Sequence, residues 1–106
     1  MVAGLPITVL IPVYDRAVAL DRALRSVARQ SIVPTEVLVV DDGSCDDSRA
    51  VAERHGARVI AHERNQGQVA ARNTVFAAAT QPWIAFLDSD DDWLPDHLET
   101  LWPLRE

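Results

Sequence analysis

Two short stretches of this 106-residue chain concentrate carboxylates, Asp41-Asp42-Gly43-Ser44 and Asp88-Ser89-Asp90-Asp91-Asp92. A third, Pro12-Val13-Tyr14-Asp15, sets an aromatic ring beside another acid. Like charges gathered in one site raise each other's pKa and cost stability unless a cation neutralises them. Arg72 is the nearest candidate in sequence, and one guanidinium does not offset such a cluster. A hard divalent cation held by carboxylate oxygens, Mg²⁺ or Mn²⁺, is the natural remedy. Mg²⁺ takes one or two protein carboxylates and completes its shell with water and substrate phosphates. An acidic strand end beside a nucleotide therefore points to a metal-bridged diphosphate, with Asp88 and Asp90 as the pair best suited to it. Asp46, Asp47 and Asp96 read instead as helix-start residues.

For these residues to meet, the segments between them must carry three distant points of the chain to one place. Ile7-Thr8-Val9-Leu10-Ile11 is an apolar, β-branched run stopped by Pro12, as a strand buried on both faces reads. Over 17–30, Leu20, Leu24, Val27 and Ala28 recur at helical spacing, with Asp21, Arg22, Arg25 and Arg29 on the other side. Val37-Leu38-Val39-Val40 is a second strand; Asp46 suits the start of a second helix and Gly56 its end. A third, shorter strand over 58–61 leads through a polar loop to a helix over 68–79. Trp83-Ile84-Ala85-Phe86-Leu87 is a fourth strand, and Pro95 suits the first position of a last helix.

This alternation, with continuous apolar strands, predicts an α/β fold: an open, mostly parallel Rossmann-like sheet flanked by helices. The parallel topology puts the ends of the first, second and fourth strands on one edge, and right-handed crossovers make the sheet an open one. Ligands of such sheets bind beyond the carboxyl ends of the strands.

Other uses of the same residues fail on particular positions. Asp88, Asp90, Asp92, Asp96 and Glu99 fall on the ligand spacing of an EF-hand, but Trp93 stands where that loop needs glycine. The segment before it also reads as a strand where a helix is required. A dinucleotide-binding fingerprint would place glycines after the first strand, where Pro12-Val13-Tyr14-Asp15-Arg16-Ala17 has none. A phospho-receiver would carry its acidic pair after the first strand, not after the second and fourth.

Composition narrows the class further. Acidic residues outnumber basic ones 16 to 10, for a net charge of −6, and every basic residue is arginine. That balance argues against a nucleic-acid partner and against a polybasic lipid-binding face. The single cysteine, Cys45, forms no intrachain disulfide and fits a reducing compartment. The first residues lack the pattern of a secretory signal, and no apolar run approaches the ~18 residues of a membrane span. The expected location is the cytoplasm, either free or peripheral at the inner face of the membrane.

Four motifs occur in an order and spacing that resemble the N-terminal part of the family 2 glycosyltransferases, which have the GT-A fold. They are Ile11-Pro12-Val13-Tyr14-Asp15-Arg16, Val39-Val40-Asp41-Asp42-Gly43-Ser44, Asn65-Gln66-Gly67 with Ala71-Arg72-Asn73, and Phe86-Leu87-Asp88-Ser89-Asp90-Asp91. The resemblance implies an enzyme that binds a nucleoside-diphosphate sugar with Mn²⁺ or Mg²⁺ and transfers the sugar to an acceptor hydroxyl with inversion. Pro12 and Tyr14 would line the base pocket, Tyr14 stacking on the base or wedging the first helix. Asp42 would accept a hydrogen bond from the base and Asp41 would steady its loop. Arg72 would reach the base or the diphosphate, or else form a surface ion pair. Asp88-Ser89-Asp90 corresponds to the family's D-x-D motif, with Asp90 the foremost metal ligand and Asp88 a metal or ribose partner.

Asp15 departs from the pattern, since the family usually has asparagine there. No residue of 1–106 matches the family's acceptor-binding segment or its catalytic base. The expectation is thus a donor-binding part, weakly active or inactive alone, with an unidentified acceptor such as a glycan or lipid-linked saccharide. Self-association through an exposed sheet edge is also expected. The competing reading is a non-catalytic nucleotide-binding or assembly module.

Overall fold

The computed structural model describes residues 4–104. Its elements run β1 (Leu5–Val13), α1 (Ala17–Ala28), β2 (Pro34–Asp41), α2 (Ser48–Arg54), β3 (Arg58–Ala61), α3 (Gln68–Ala78), β4 (Trp83–Phe86) and α4 (His97–Leu101), with a 3₁₀ turn over Trp102–Leu104. The four strands form one sheet in the order β3-β2-β1-β4, with every pair parallel. The chain winds outward from β1 to β3 and then returns across the sheet to β4. That reversal is the topological switch point at which open α/β sheets bind ligands.

Side-chain alternation along the strands builds a core on each face. Ile7, Val9, Ile11 and Val13 face one side with Val39, where Leu20, Leu24 and Val27 of α1, Val51 of α2 and Leu98 of α4 cover them. Leu10, Leu38 and Val40 face the other side, against Ala71 of α3. Both faces are covered, which is why these strands read as unbroken apolar runs.

Several boundaries differ from the sequence expectation, and three of them bear on the site. Pro12 does not stop β1; it stays in register opposite Val40. Val13 O accepts from Asp42 N on the β2 side, whereas Leu10 O accepts from Leu87 N on the β4 side. Alternation therefore points the Pro12 nitrogen toward the β4 side, beyond the end of that ladder, where a missing N–H costs nothing. Helix α1 ends at Ala28, before the predicted 30, and so frees Gln30 for a different task. Pro95 precedes α4 instead of opening it: its carbonyl accepts from Ser31 N at 2.7 Å, and the helix starts only after the Leu94–His97 turn.

Among the described residues no helix is long and apolar enough to cross a membrane.

Candidate functional site

The loops after β1 and β2 are stitched together by their own polar side chains. Asp15 sits in the left-handed region at φ 49°, a conformation that Asp and Asn tolerate better than most residues. Its carboxylate accepts from Cys45 N at 2.7 Å and its own N–H donates to Ser44 Oγ at 2.9 Å. Aspartate thus supplies a loop bond at the position where the family's asparagine was in question. Asp41 accepts from Ser44 N at 3.0 Å within its own turn.

Asp46 accepts from Ser48 N at the start of α2 and, through its other oxygen, from Ala17 N at the start of α1. One carboxylate thus serves the positive ends of both helices. The Ser48 hydroxyl bond, with the two backbone bonds, outweighs burial and lowers its pKa.

Asp42 is held through both of its carboxylate oxygens by the loop that follows β3. Its Oδ1 accepts from His62 Nδ1 at 2.8 Å and from Gln66 N at 2.9 Å, and its Oδ2 accepts from Gly67 N at 2.8 Å. Burial alone would push this carboxyl up. The bonds from Gln66, His62 and Gly67 together overcome that and hold it below the usual carboxylate range. The 62–67 loop comes so close that a Cβ on Gly43 would lie 2.5 Å from Asn65 N. Together with φ +81° at that position, this requires glycine.

The acidic loop after β4 is anchored from behind by the residues that follow α1. Gln30, buried, donates from Nε2 to Leu94 O at 2.7 Å and to Ser26 O at 3.1 Å. Its Oε1 accepts from Leu98 N at 3.0 Å. Trp93 stacks on His97, 4.4 Å between ring centroids, and packs against the α1 side of the core. In front, Asp91 N donates to Asp88 O, and carboxylate oxygens of Asp88, Asp90 and Asp91 all lie within 4.8 Å of one another. All three side chains are exposed, and among the described residues none has an ion-pair partner. An all-oxygen anionic set of this kind suits a hard divalent cation.

Between these loops lies an open cleft of about 260 Å³. Pro12, Tyr14, Asp42 and Ser89 line it, four residues that the sequence reading selected. Arg16, Asn65, Gly67 and Ala71 also line it, and the sequence reading had given none of them a role in the site. Asp41 is turned to its own loop, and Asp88 and Asp90 flank Ser89 outside the lining. Arg72 is absent from the lining too: its guanidinium lies over the Phe86 ring, 5.5 Å from the centroid. Asp91 joins the acidic cluster although only its two neighbours had been singled out. His62 and Gln30 carry no motif signal, since what marks them is a partner far along the chain.

Residues 8–104 match the sequence profile described as Glycosyl transferase family 2. The succinoglycan biosynthesis protein ExoO of Rhizobium meliloti is 40% identical over 98 residues, which are 90% of this chain and 28% of that protein. The Escherichia coli protein WfgD, described as a UDP-Glc:alpha-D-GlcNAc-diphosphoundecaprenol beta-1,3-glucosyltransferase, is 35% identical over 96 residues, 88% of this chain and 38% of its own. Among solved structures, S. aureus TarS 1-349 in complex with UDP-GlcNAc superposes with a TM-score of 0.85 at 29% identity, covering 92% of this chain and 30% of that one. The mannosyltransferase PcManGT of Pyrobaculum calidifontis, in complex with GDP-Man and Mn²⁺, gives 0.80 at 26% identity, covering 92% and 32%. The chain thus spans well under half the length of each of these proteins.

Proposed function

The chain belongs to glycosyl transferase family 2 and has its GT-A fold, and on that premise we propose that residues 1–106 are the donor-binding part of a sugar-transfer site. They bind a nucleoside-diphosphate sugar together with a divalent cation, for transfer to an acceptor hydroxyl with inversion at the anomeric carbon. The observation that carries this reading is the cleft at the switch point, lined by Pro12, Tyr14, Asp42 and Ser89, with Ser89 set between Asp88 and Asp90 of the exposed acidic cluster.

Pro12 and the exposed ring of Tyr14 offer an apolar surface to a base, and Asp42 offers an acceptor. Arg16 lies at the cleft as the cation nearest to hand for a diphosphate; Arg72 would have to leave Phe86 to take that part. Asp90 and Asp88, with Asp91 beside them, would hold Mn²⁺ or Mg²⁺. When bound, such an ion supplies Lewis-acid neutralisation of the departing diphosphate. Support comes from relatives of the same fold, one solved with UDP-GlcNAc and one with GDP-Man and Mn²⁺. The general base that inversion requires on the acceptor has no candidate among these residues, and in this reading it belongs to another part of the family fold.

The test is tryptophan fluorescence during titration with UDP, GDP and dTDP, with and without Mn²⁺. Binding that Mn²⁺ strengthens, and that Asp90→Ala abolishes, is the expected result. Failure to bind any of the three sinks the donor-site reading and favours the assembly module.

A further inference from the structure

We propose that His62 is a positioning residue for the nucleobase: acting through Asp42, it makes the site select bases that present a ring N–H. The inference rests on the donor-site reading above. His62 follows β3 directly, and its own N–H donates to Asp41 O at 2.8 Å, which fixes its backbone to β2. Its ring bridges two elements. Nδ1 meets Asp42 Oδ1 at 2.8 Å, and Nε2 meets Thr74 Oγ1 of α3 at 2.8 Å. Both acidic and imidazole side chains are withdrawn from solvent, 7% and 10% exposed.

The donor and acceptor roles follow from what each group can do. An ionised carboxylate only accepts, so Nδ1 carries a proton and donates it to Asp42. A threonine hydroxyl both donates and accepts. When the ring is cationic, Nε2 donates to Thr74 Oγ1, whose proton goes to Ala70 O at 3.0 Å. When the ring is neutral, the hydroxyl turns and donates to Nε2. The clamp on Asp42 therefore holds in either charge state of the imidazole.

Its effect appears in the lone pairs that remain. A carboxylate offers about four acceptor sites. Oδ1 of Asp42 is taken by His62 and Gln66 N, and one site of Oδ2 is taken by Gly67 N. What remains is one acceptor of fixed direction on Oδ2, on a side chain that lines the cleft beside Pro12 and Tyr14. Uracil, thymine and guanine each present a ring N–H to such an acceptor. Cytosine presents a ring nitrogen lone pair at that position, where two acceptors repel, and its donor on that edge, the exocyclic amine, needs an acceptor shifted along the ring. Without His62, Oδ1 loses its side-chain donor, the carboxylate can rotate, and the discrimination weakens.

The experiment titrates wild type, His62→Ala and His62→Asn with UDP, GDP, dTDP and CDP at fixed Mn²⁺, with thermal melts to compare folding. Wild type is expected to favour at least one of the first three over CDP. His62→Ala should bind that nucleotide about tenfold more weakly, equivalent to about 1.4 kcal/mol, while CDP affinity changes little. His62→Asn, whose amide N–H can replace the Nδ1 donor, should restore most of the preference. An unchanged preference in His62→Ala overturns the proposal, as does an equal loss for every nucleotide that Asn does not rescue. Tightest binding of CDP by wild type also overturns it. Wild type that binds none of the four fails at the donor-site reading itself, and the inference falls with it.

Discussion

Asp42 earns its low pKa through contacts, and that makes its charge a stabilising feature as well as a binding one. It is a buried carboxylate with three donors, two of them backbone N–H groups of a loop that has few other anchors. Hydrogen bonds to a charged group contribute more than neutral ones, and leaving a buried donor unpaired costs about 1–3 kcal/mol. Asp42→Asn places an amide NH₂ against at least one of these donors and should destabilise the fold by about 2 kcal/mol near neutral pH. Because folding lowers this pKa, the ionised clamp contributes fully above the carboxyl's unfolded value, about 3.9. The contribution is lost as pH falls through the lower folded value. Urea denaturation of both proteins along a pH series should show their stabilities converging in acid; a difference that stays constant with pH would remove Asp42 as the source.

Helix α1 covers the core with one face, and the residues just after it set the position of the acidic loop. Gln30 bonds Leu94 O and Leu98 N across 64 and 68 residues of sequence, and Ser31 adds Pro95 O. The exposed acids Asp88, Asp90 and Asp91 thus rest on a clamp at the far end of their own loop. Gln30→Ala leaves the buried Leu98 N–H and the part-exposed Leu94 carbonyl without their partner. The expected cost is about 2 kcal/mol in stability, with faster hydrogen exchange at the Leu98 amide and weaker Mn²⁺ affinity. Unaltered exchange at Leu98 would show that α4 is fixed by packing of Leu98 alone.

On the scale of the whole molecule, the sheet leaves β4 as an edge strand among the described residues, flanked by an apolar groove of about 380 Å³. Trp83, Phe86, Leu101 and Leu104 are exposed along it. An apolar edge of this kind is a template for pairing unless it is covered or charged. The isolated 106-residue chain should therefore gain mass with concentration in sedimentation velocity, and Leu101→Glu should return it toward the monomer. A monomer at every concentration would dispose of the expected self-association.

The element order and the gathering of these residues on one sheet edge were legible in the sequence, because both depend on local signals. Continuous apolar strands mark a sheet covered on both faces, and a β-α alternation admits only parallel pairing with right-handed crossovers. Asp42, Ser89 and the acidic cluster then had to share one edge, and Tyr14 and Pro12 with them. Tertiary structure alone decided the finer points. It brought Arg16 to the cleft and laid Arg72 over Phe86, since which arginine faces inward depends on how α1 and α3 sit against the sheet. It kept Pro12 inside β1, because the strand on its N–H side ends before reaching it. It also paired His62 with Asp42 and Gln30 with Leu98, contacts between residues that share no periodicity and no motif. Such pairings are set by strand register and helix crossing, which one stretch of sequence does not encode by itself.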